Sequence, residues 1–374
     1  MNVLISLGRW GLNIIYFFHK LFPSKNRIAI ISRQSREPSL DMRLLTKELE
    51  RQDPEVEVVI CCKMIDPGLF HKIGYVLHMV TKQMHLLATS KVVVLDGYCI
   101  AACMLKHKRS LIILQMWHSM GALKNFGYAS LDAQEGTSAK LAKAMRMHEQ
   151  YDMIFVSSEA CKKPWAKAFH CDESILKVMP LPRCDAILND SYRLAYREAI
   201  LKEYPKLIGK KVVLYAPTFR KEIKIYDAMK TLIDRFDEQK YCFIVKLHPL
   251  DEGKVQTGEA IVDTQFSSLE WFSVADIVIS DYSAILFEAA LAHKPLYRYV
   301  PDAQSYDYQR GFLIDVDREI PAFSSPDAFA LYEAIENENY DLTKIDAFAH
   351  KYIKANGHNA KDMASYILMR CTDD

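Results

Sequence analysis

Apolar runs of strand length recur along the chain. Arg27–Ser32 (RIAIIS) predicts a first buried strand, and Val56–Cys61, Lys91–Leu95, Leu111–Leu114 and Met153–Val156 predict four more. Amphipathic stretches separate them. Leu40, Leu44, Leu45 and Leu49 share one face of a helix over Ser39–Arg51, and His71–Ala88 also reads as helical. Two prolines make Pro180–Arg183 a stop, followed by a charged, exposed helix over Tyr192–Tyr204. The pattern restarts at Lys211. Strands are expected at Val212–Tyr215, Tyr241–Leu247, Ile261-Val262, Ile277–Ser280 and Pro295–Tyr299, with helices at Tyr226–Phe236, Ser268–Val274, 326–338 and 343–370. Strands alternating with helices imply parallel sheets covered on both faces, in two α/β halves with a boundary near 185–209.

One stretch carries a ligand signal. The run Ile277-Val278-Ile279 ends in Ser280-Asp281-Tyr282-Ser283, and a helical pattern (Ile285, Leu286, Ala289, Ala290) begins at once. The first amides of a helix have no intrahelical acceptor and lie at the positive end of its dipole, so a phosphate fits there. In open parallel sheets, ligands bind beyond the carboxyl ends of the strands. His118, Thr218/Arg220, His248 and Ser280–Ser283 all follow predicted strands.

The N-terminus has a different character. Asn2, Ser6, Arg9, Asn13 and Lys20 fall on one side of a helix, and Val3, Leu4, Leu7, Trp10, Ile14, Phe18, Leu21 and Phe22 on the other. The polar residues argue against a spanning helix, and Leu21-Phe22-Pro23 is no signal-peptide cleavage site. The pattern fits an amphipathic helix in a membrane interface, with Lys25 and Arg27 near anionic headgroups. The alternative is a helix packed on the protein's own body.

Composition narrows the class. The chain has 374 residues, enough for two domains, and 48 basic residues balance 47 acidic ones, which argues against a general nucleic-acid binder. Nine cysteines occur without a CxxC pair; Cys99 and Cys103 read as core, and a reducing cytoplasm is the simplest setting. There is no GxxxxGK[ST], no GxGxxG and no paired carboxylates at a strand end that demand a metal.

His118 follows an apolar run and Trp117, and precedes Gly121 and Lys124; an imidazole at a strand end can serve as a general base near neutral pH. Taken alone, it can equally be a hydrogen-bonded residue closing the strand. His248, in Lys246-Leu247-His248-Pro249, has the same two readings. His71, His78, His85 and His148 fall in helical stretches, as surface or packing residues.

As an ordered set, the segments Gln115-Met116-Trp117-His118, Tyr215-Ala216-Pro217-Thr218-Phe219-Arg220, Lys246–Pro249 and Ser280–Ser283 with Lys294-Pro295 and Pro301-Asp302 resemble the CDP-glycerol:poly(glycerophosphate) glycerophosphotransferase family of teichoic acid synthesis. Arg33-Gln34-Ser35, Pro38–Asp41 and Arg310-Gly311 extend the resemblance, which covers about 27–340. It implies a GT-B architecture of two Rossmann-like domains facing across a cleft: a membrane-associating helix at 1–25, an acceptor-side domain at 26–190 and a CDP-donor domain at 191–374, whose last helix is free to pack back on the first. It implies transfer of glycerol phosphate from CDP-glycerol, or ribitol phosphate from CDP-ribitol, to a hydroxyl of an undecaprenyl-diphosphate-linked disaccharide or polymer acceptor, with release of CMP at the cytoplasmic membrane face. His118 would be the base and His248 would lie at the transferring phosphate. Thr218, Arg220, Ser280, Asp281, Ser283, Glu288 and Arg310 would handle the donor, and Arg33, Ser39, Asp41 and Lys124 the acceptor side.

A helix-capping role is the simpler one for Asp281. No tightly bound cofactor is expected, with Mg²⁺ left as an alternative helper of the pyrophosphate. Ser119 departs from the family's usual glycine or alanine, and the lack of a long N-terminal extension favours a priming enzyme. Competing expectations are a nucleotide-sugar glycosyltransferase or UDP-sugar epimerase on the same fold, and a non-catalytic membrane scaffold. The histidine segments disfavour the first and His118 with His248 the second.

Overall fold

The structure is a computed structural model that describes residues 2–134, 136–218, 224–247, 260–303 and 311–372. By contacts the chain divides into two units, one of Met1–Ser119, Phe126–Asp185 and Lys354–Asp374, the other of Met120–Asn125 and Ala186–Ile353. The units are interleaved along the chain: a six-residue loop belongs to the second, and the C-terminal helix belongs to the first, the placement that the sequence reading leaves open for it.

The first unit is built on six parallel strands, β1 (Arg27–Ser32), β2 (Glu57–Cys62), β3 (Val92–Leu95), β4 (Ile112–Gln115), β5 (Met153–Val156) and β6 (Leu176–Val178), in the order β2-β1-β3-β4-β5-β6. All residues of β1 and β3 are buried, as central strands of a doubly wound sheet must be. The strand order reverses between β1 and β3, which opens a crevice at their carboxyl ends. Three-residue β6 escapes the sequence pattern because so short a run has no detectable period.

The helix Leu40–Gln52 is capped by Ser39, whose hydroxyl accepts from the Met42 amide, and turns Met42, Leu45 and Leu49 into the core. The stretch read as one helix at His71–Ala88 is Leu69–His78, a π-helical turn Met79–Gln83 and Met84–Thr89. Leu69, Phe70 and Leu77 on the first of these are exposed.

The N-terminal helix Asn2–Lys20 turns part of its polar stripe onto the body of this unit. Asn13 Oδ1 accepts from the Lys106 amide at 2.8 Å, the Tyr16 hydroxyl meets His107 Nδ1 at 2.9 Å, and His19 Nε2 lies 2.8 Å from the Val80 carbonyl oxygen. Leu7, Trp10, Phe17, Phe18, Leu21 and Phe22 are left exposed, Trp10 at 67%. Among the described residues no helix is long and apolar enough to cross a membrane.

The second unit repeats the architecture with β7 (Lys211–Tyr215), β8 (Tyr241–Val245), β9 (Ile261–Val262), β10 (Ile277–Ser280), β11 (Leu296–Tyr299) and β12 (Phe323–Ser325), in the order β12-β11-β10-β7-β8-β9. This is the doubly wound order of dinucleotide-binding domains, with its reversal between β7 and β10. Its core packs Tyr215, Phe243, Ile279 and Tyr297 of the sheet against Met229, Phe236 and Leu331. The helix expected over 343–370 is two, Leu342–Tyr352 and Asn359–Thr372. The break allows the Lys354 amide to reach Ser157 O, and the Asp185 carboxylate accepts from the Asn359 and Ala360 amides.

Candidate active site

In the first unit, everything around His118 fixes its ring. The Met116 amide continues the ladder to Leu95 O, and then the chain leaves the sheet. Gln115 is fully buried and bridges two backbones: its Nε2 donates to Gly97 O and its Oε1 accepts from the Trp117 amide. That clamp holds Trp117 in the left-handed region at φ 61°, a conformation a bulky residue adopts only under constraint. The Trp117 ring stacks on Phe126 at 4.6 Å and on His118 at 4.5 Å between centroids. Behind them His148 is buried against Trp117 and Phe169, a packing residue as the sequence implied, though in a turn rather than a helix.

His118 Nδ1 lies 2.7 Å from Asp96 O. A carbonyl can only accept, so Nδ1 carries the proton and Nε2 of the neutral ring holds the acceptor lone pair. Water reaches the ring, yet protein crowds it at longer range. That desolvation lowers its pKa, the Asp96 carbonyl opposes the change, and the Arg183 charge lowers it further. The imidazole is therefore held neutral at pH 7, as a base must be.

Of the four residues expected on the acceptor side, Ser39 and Asp41 have structural partners. Ser39 is the helix cap already described. Asp41, 2% exposed, accepts from the Arg183 amide and from Arg183 Nε, both at 2.8 Å. Arg183 in turn donates from Nη2 to His118 O at 3.1 Å. Asp41 thus acts on the site through Arg183. Arg33 lies over the Tyr98 ring at 5.2 Å.

In the second unit, the reversal between β7 and β10 brings together Thr218 and Asp281. The Asp281 carboxylate, 1% exposed, accepts from the Thr218 amide (2.9 Å) and hydroxyl (2.7 Å) and from the Tyr282 amide. It clamps the loop after β7 and does not cap the helix Ile285–Leu291, whose Ile285 amide reaches Ser283 Oγ instead. Ser280 is fully buried and its hydroxyl donates to Ala216 O, so it braces this loop and presents nothing outward. Ser283 and Glu288 are half-buried at the start of that helix.

Lys124 belongs to this unit, not to the acceptor-side half. Its Nζ donates to Thr218 Oγ1 at 3.1 Å, and its backbone forms an antiparallel bridge with Phe312. Gly121, at φ 67°, admits the Phe287 ring, which would lie 2.5 Å from an added Cβ. The glycine makes room for packing. Arg220, His248 and Arg310 lie outside the described residues.

A sequence model of the CDP-Glycerol:Poly(glycerophosphate) glycerophosphotransferase family matches residues 14–368. The chain belongs to this family. Among curated relatives, a teichoic acid ribitol-phosphate primase of Bacillus spizizenii is 28% identical over 91% of this chain and 90% of its own length. A teichoic acid glycerol-phosphate primase of Bacillus subtilis is 27% identical over 78% of this chain and 76% of its own. The solved structure of the wall teichoic acid polymerase TagF matches all of this chain and 98% of its own, with a TM-score of 0.78 at 18% identity, a likeness of fold. The family is one of teichoic acid polyol-phosphate transferases, and this chain is a transferase of that kind.

Three members of the His118 surroundings were not among the site residues expected from sequence. Gln115 sits inside the Gln115–His118 segment, and its polarity at the end of a buried strand was a usable signal. Asp96 ends the Lys91–Leu95 run in the same way. Arg183 gave no local signal, since it reaches the site from 65 residues away.

Proposed function

We propose that this protein moves a polyol phosphate from its CDP-activated form to a hydroxyl of a teichoic acid acceptor, releasing CMP. The observation that carries the reading is the Asp96 O–His118 Nδ1 hydrogen bond, which leaves Nε2 poised to take a proton. The acceptor oxygen gives its proton to Nε2 as it attacks the donor's β-phosphorus. The bond from that phosphorus to the bridging oxygen breaks, and CMP leaves with the electron pair. Charge building on the transferring phosphoryl oxygens needs donors held in place beforehand. The resemblance assigns that part to Thr218, Ser283, Arg220, Arg310 and His248, and the Asp281 clamp on Thr218 supports a fixed donor loop at the switch point of the second sheet. A GT-B arrangement is part of this reading.

The polyol has two candidates, each with its own support. The family description speaks for glycerol, and the primase matched over 90% of its length speaks for ribitol.

The site of action in this reading is the membrane surface that presents a lipid-linked acceptor. The exposed Trp10, Phe18, Leu21 and Phe22, with Lys20 and Lys25 beside them, support a peripheral attachment by apolar burial and attraction to anionic lipid.

The test is CMP release by the purified full chain with CDP-glycerol and with CDP-ribitol. Acceptors are a lipid-linked disaccharide analogue and the same analogue ending in one glycerol phosphate, with product mass measured. Absence of CMP release in all four pairings, with nucleotide bound, would return the scaffold reading.

A further inference from the structure

An imidazole that takes a proton becomes a cation, and the charged groups around His118 do not answer that charge. Its Nδ1 faces the backbone oxygen of Asp96, where a Ser-His-Asp triad would place a carboxylate. The Asp96 carboxylate, after β3, is turned to the Ser32 hydroxyl at 2.7 Å. Asp41, from the helix Leu40–Gln52, favours the cation but is engaged by Arg183 at 2.6 Å. Arg183 itself and Arg33, in the loop after β1, both oppose it. His148, held neutral by burial behind Trp117, adds no charge.

What does lie against the ring is the face of Trp117. The two ring centroids are 4.5 Å apart, with planes 30° from parallel. Phe126 stacks on the same indole, whereas His148 and Phe169 meet it edge-on at 68° and 81°. In extended chain, consecutive side chains point to opposite sides. The rings of Trp117 and His118 stack because Trp117 leaves that conformation, at φ 61°, and the Gln115 side chain holds it there through the Trp117 amide. Backbone of this kind persists where its surroundings impose it, and it gathers at functional sites. An indole face carries the negative part of the ring quadrupole and attracts a cation within about 6 Å of its centroid, more strongly than a phenyl ring does.

We propose that the Trp117 face stabilises the imidazolium that His118 becomes as it takes the acceptor's proton on Nε2, the part a buried carboxylate plays in a triad. The inference rests on the transferase reading above. Trp117 acts on the reaction through His118 and is a positioning residue.

The experiment follows the His118 protonation equilibrium by itself, from isotope-labelled imidazole NMR signals of the full chain across pH, with His118→Gln identifying the resonance. Wild type is compared with Trp117→Leu, with Trp117→Phe, and with wild type grown on fluorinated tryptophan, which weakens the negative face at nearly constant shape. Loss of a cation–π contact predicts a His118 pKa lower by about 0.5–1.5 in Trp117→Leu, a smaller fall in Trp117→Phe, and a fall with fluorotryptophan. With a CDP-polyol donor, kcat should drop in the same order, about 3- to 30-fold for Trp117→Leu, and the acid limb of kcat/KM should move to lower pH. A ring that only packs gives the opposite sign, because its removal lets water in and relieves the desolvation that holds the pKa down. A His118 pKa that rises or stays put in the fluorotryptophan protein overturns the proposal, and that protein decides should Trp117→Leu fail to fold. Absence of CMP release by wild type, with the pKa falling as expected, would remove the transferase reading and leave the stabilisation of the imidazolium standing.

Discussion

Asp41 and Arg183, 142 residues apart in sequence, form a buried pair in which the carboxylate takes both the amide and Nε of the arginine at 2.8 Å. The guanidinium Nη2, which also pairs with Asp41 Oδ2 at 2.6 Å, donates to the backbone oxygen of His118. The position of the candidate base therefore depends on this salt bridge.

Arg183→Met should leave the Asp41 carboxylate buried without its partner. Breaking such a pair costs about 3–5 kcal/mol, whereas Asp41→Asn with Arg183→Met should recover much of it. Chemical denaturation of the two singles and the double measures the coupling. Because the Arg183 charge lowers the His118 pKa, the acid limb of kcat/KM should also move to higher pH in the Arg183→Met enzyme that remains folded.

His118→Gln should lower kcat by about 10²–10⁴-fold, the usual contribution of a general base, in a protein that stays folded. In the wild type the acid limb should fall below the ordinary histidine value near 6.5, since desolvation lowers this pKa. Near-normal turnover of a folded His118→Gln protein removes the residue from the mechanism.

His148 gives a pH dependence of stability. Burial among aromatic rings lowers its pKa to about 3. The unfolded chain's imidazole takes its proton near 6.5, so between these values the unfolded state binds more protons than the folded one. Stability is full above 6.5 and declines as pH falls toward 3, by up to about 1.4 kcal/mol per pH unit. His107, lowered to about 4 by burial, adds a loss of the same sign. His148→Phe should flatten the melting-temperature profile between pH 6.5 and 4.5, and an unchanged slope would show that the ring is accessible to protons.

Gly121→Ala should destabilise the loop Met120–Asn125 through both its φ of 67° and the 2.5 Å approach to Phe287. An αL residue of this sort costs about 1–3 kcal/mol. Phe287→Leu added to it should relieve only the steric share, and the urea midpoints of the two variants separate the contributions.

Trp10→Ser with Phe18→Ser tests membrane attachment without disturbing the helix's contacts. Both side chains are exposed, while Asn13, Tyr16 and His19 make the bonds to the body. Sedimentation with phosphatidylglycerol vesicles should drop sharply at constant melting temperature. Unchanged sedimentation would place the attachment elsewhere.

What the sequence determined by itself was whatever depends on neighbours a few residues apart. The strands at Arg27–Ser32 and Ile277–Ser280, the parallel α/β class and the strand-end placement of His118 all follow from local period. Three-residue strands such as Phe323–Ser325 fall below that period, and one uniform helical pattern over 343–370 hid a break at Lys354–His358. Only the tertiary structure decided the strand orders, the assignment of Met120–Asn125 to the second unit, and the partners of each polar side chain. Asp41, Ser280 and Asp281 look alike in sequence to ligand contacts. Their hydrogen bonds also brace the fold, because a buried polar group must be satisfied by whatever packing brings near, here Arg183, Ala216 and Thr218. Asp96 is the converse: a polar residue after a buried strand, whose coupling to His118 only the fold creates.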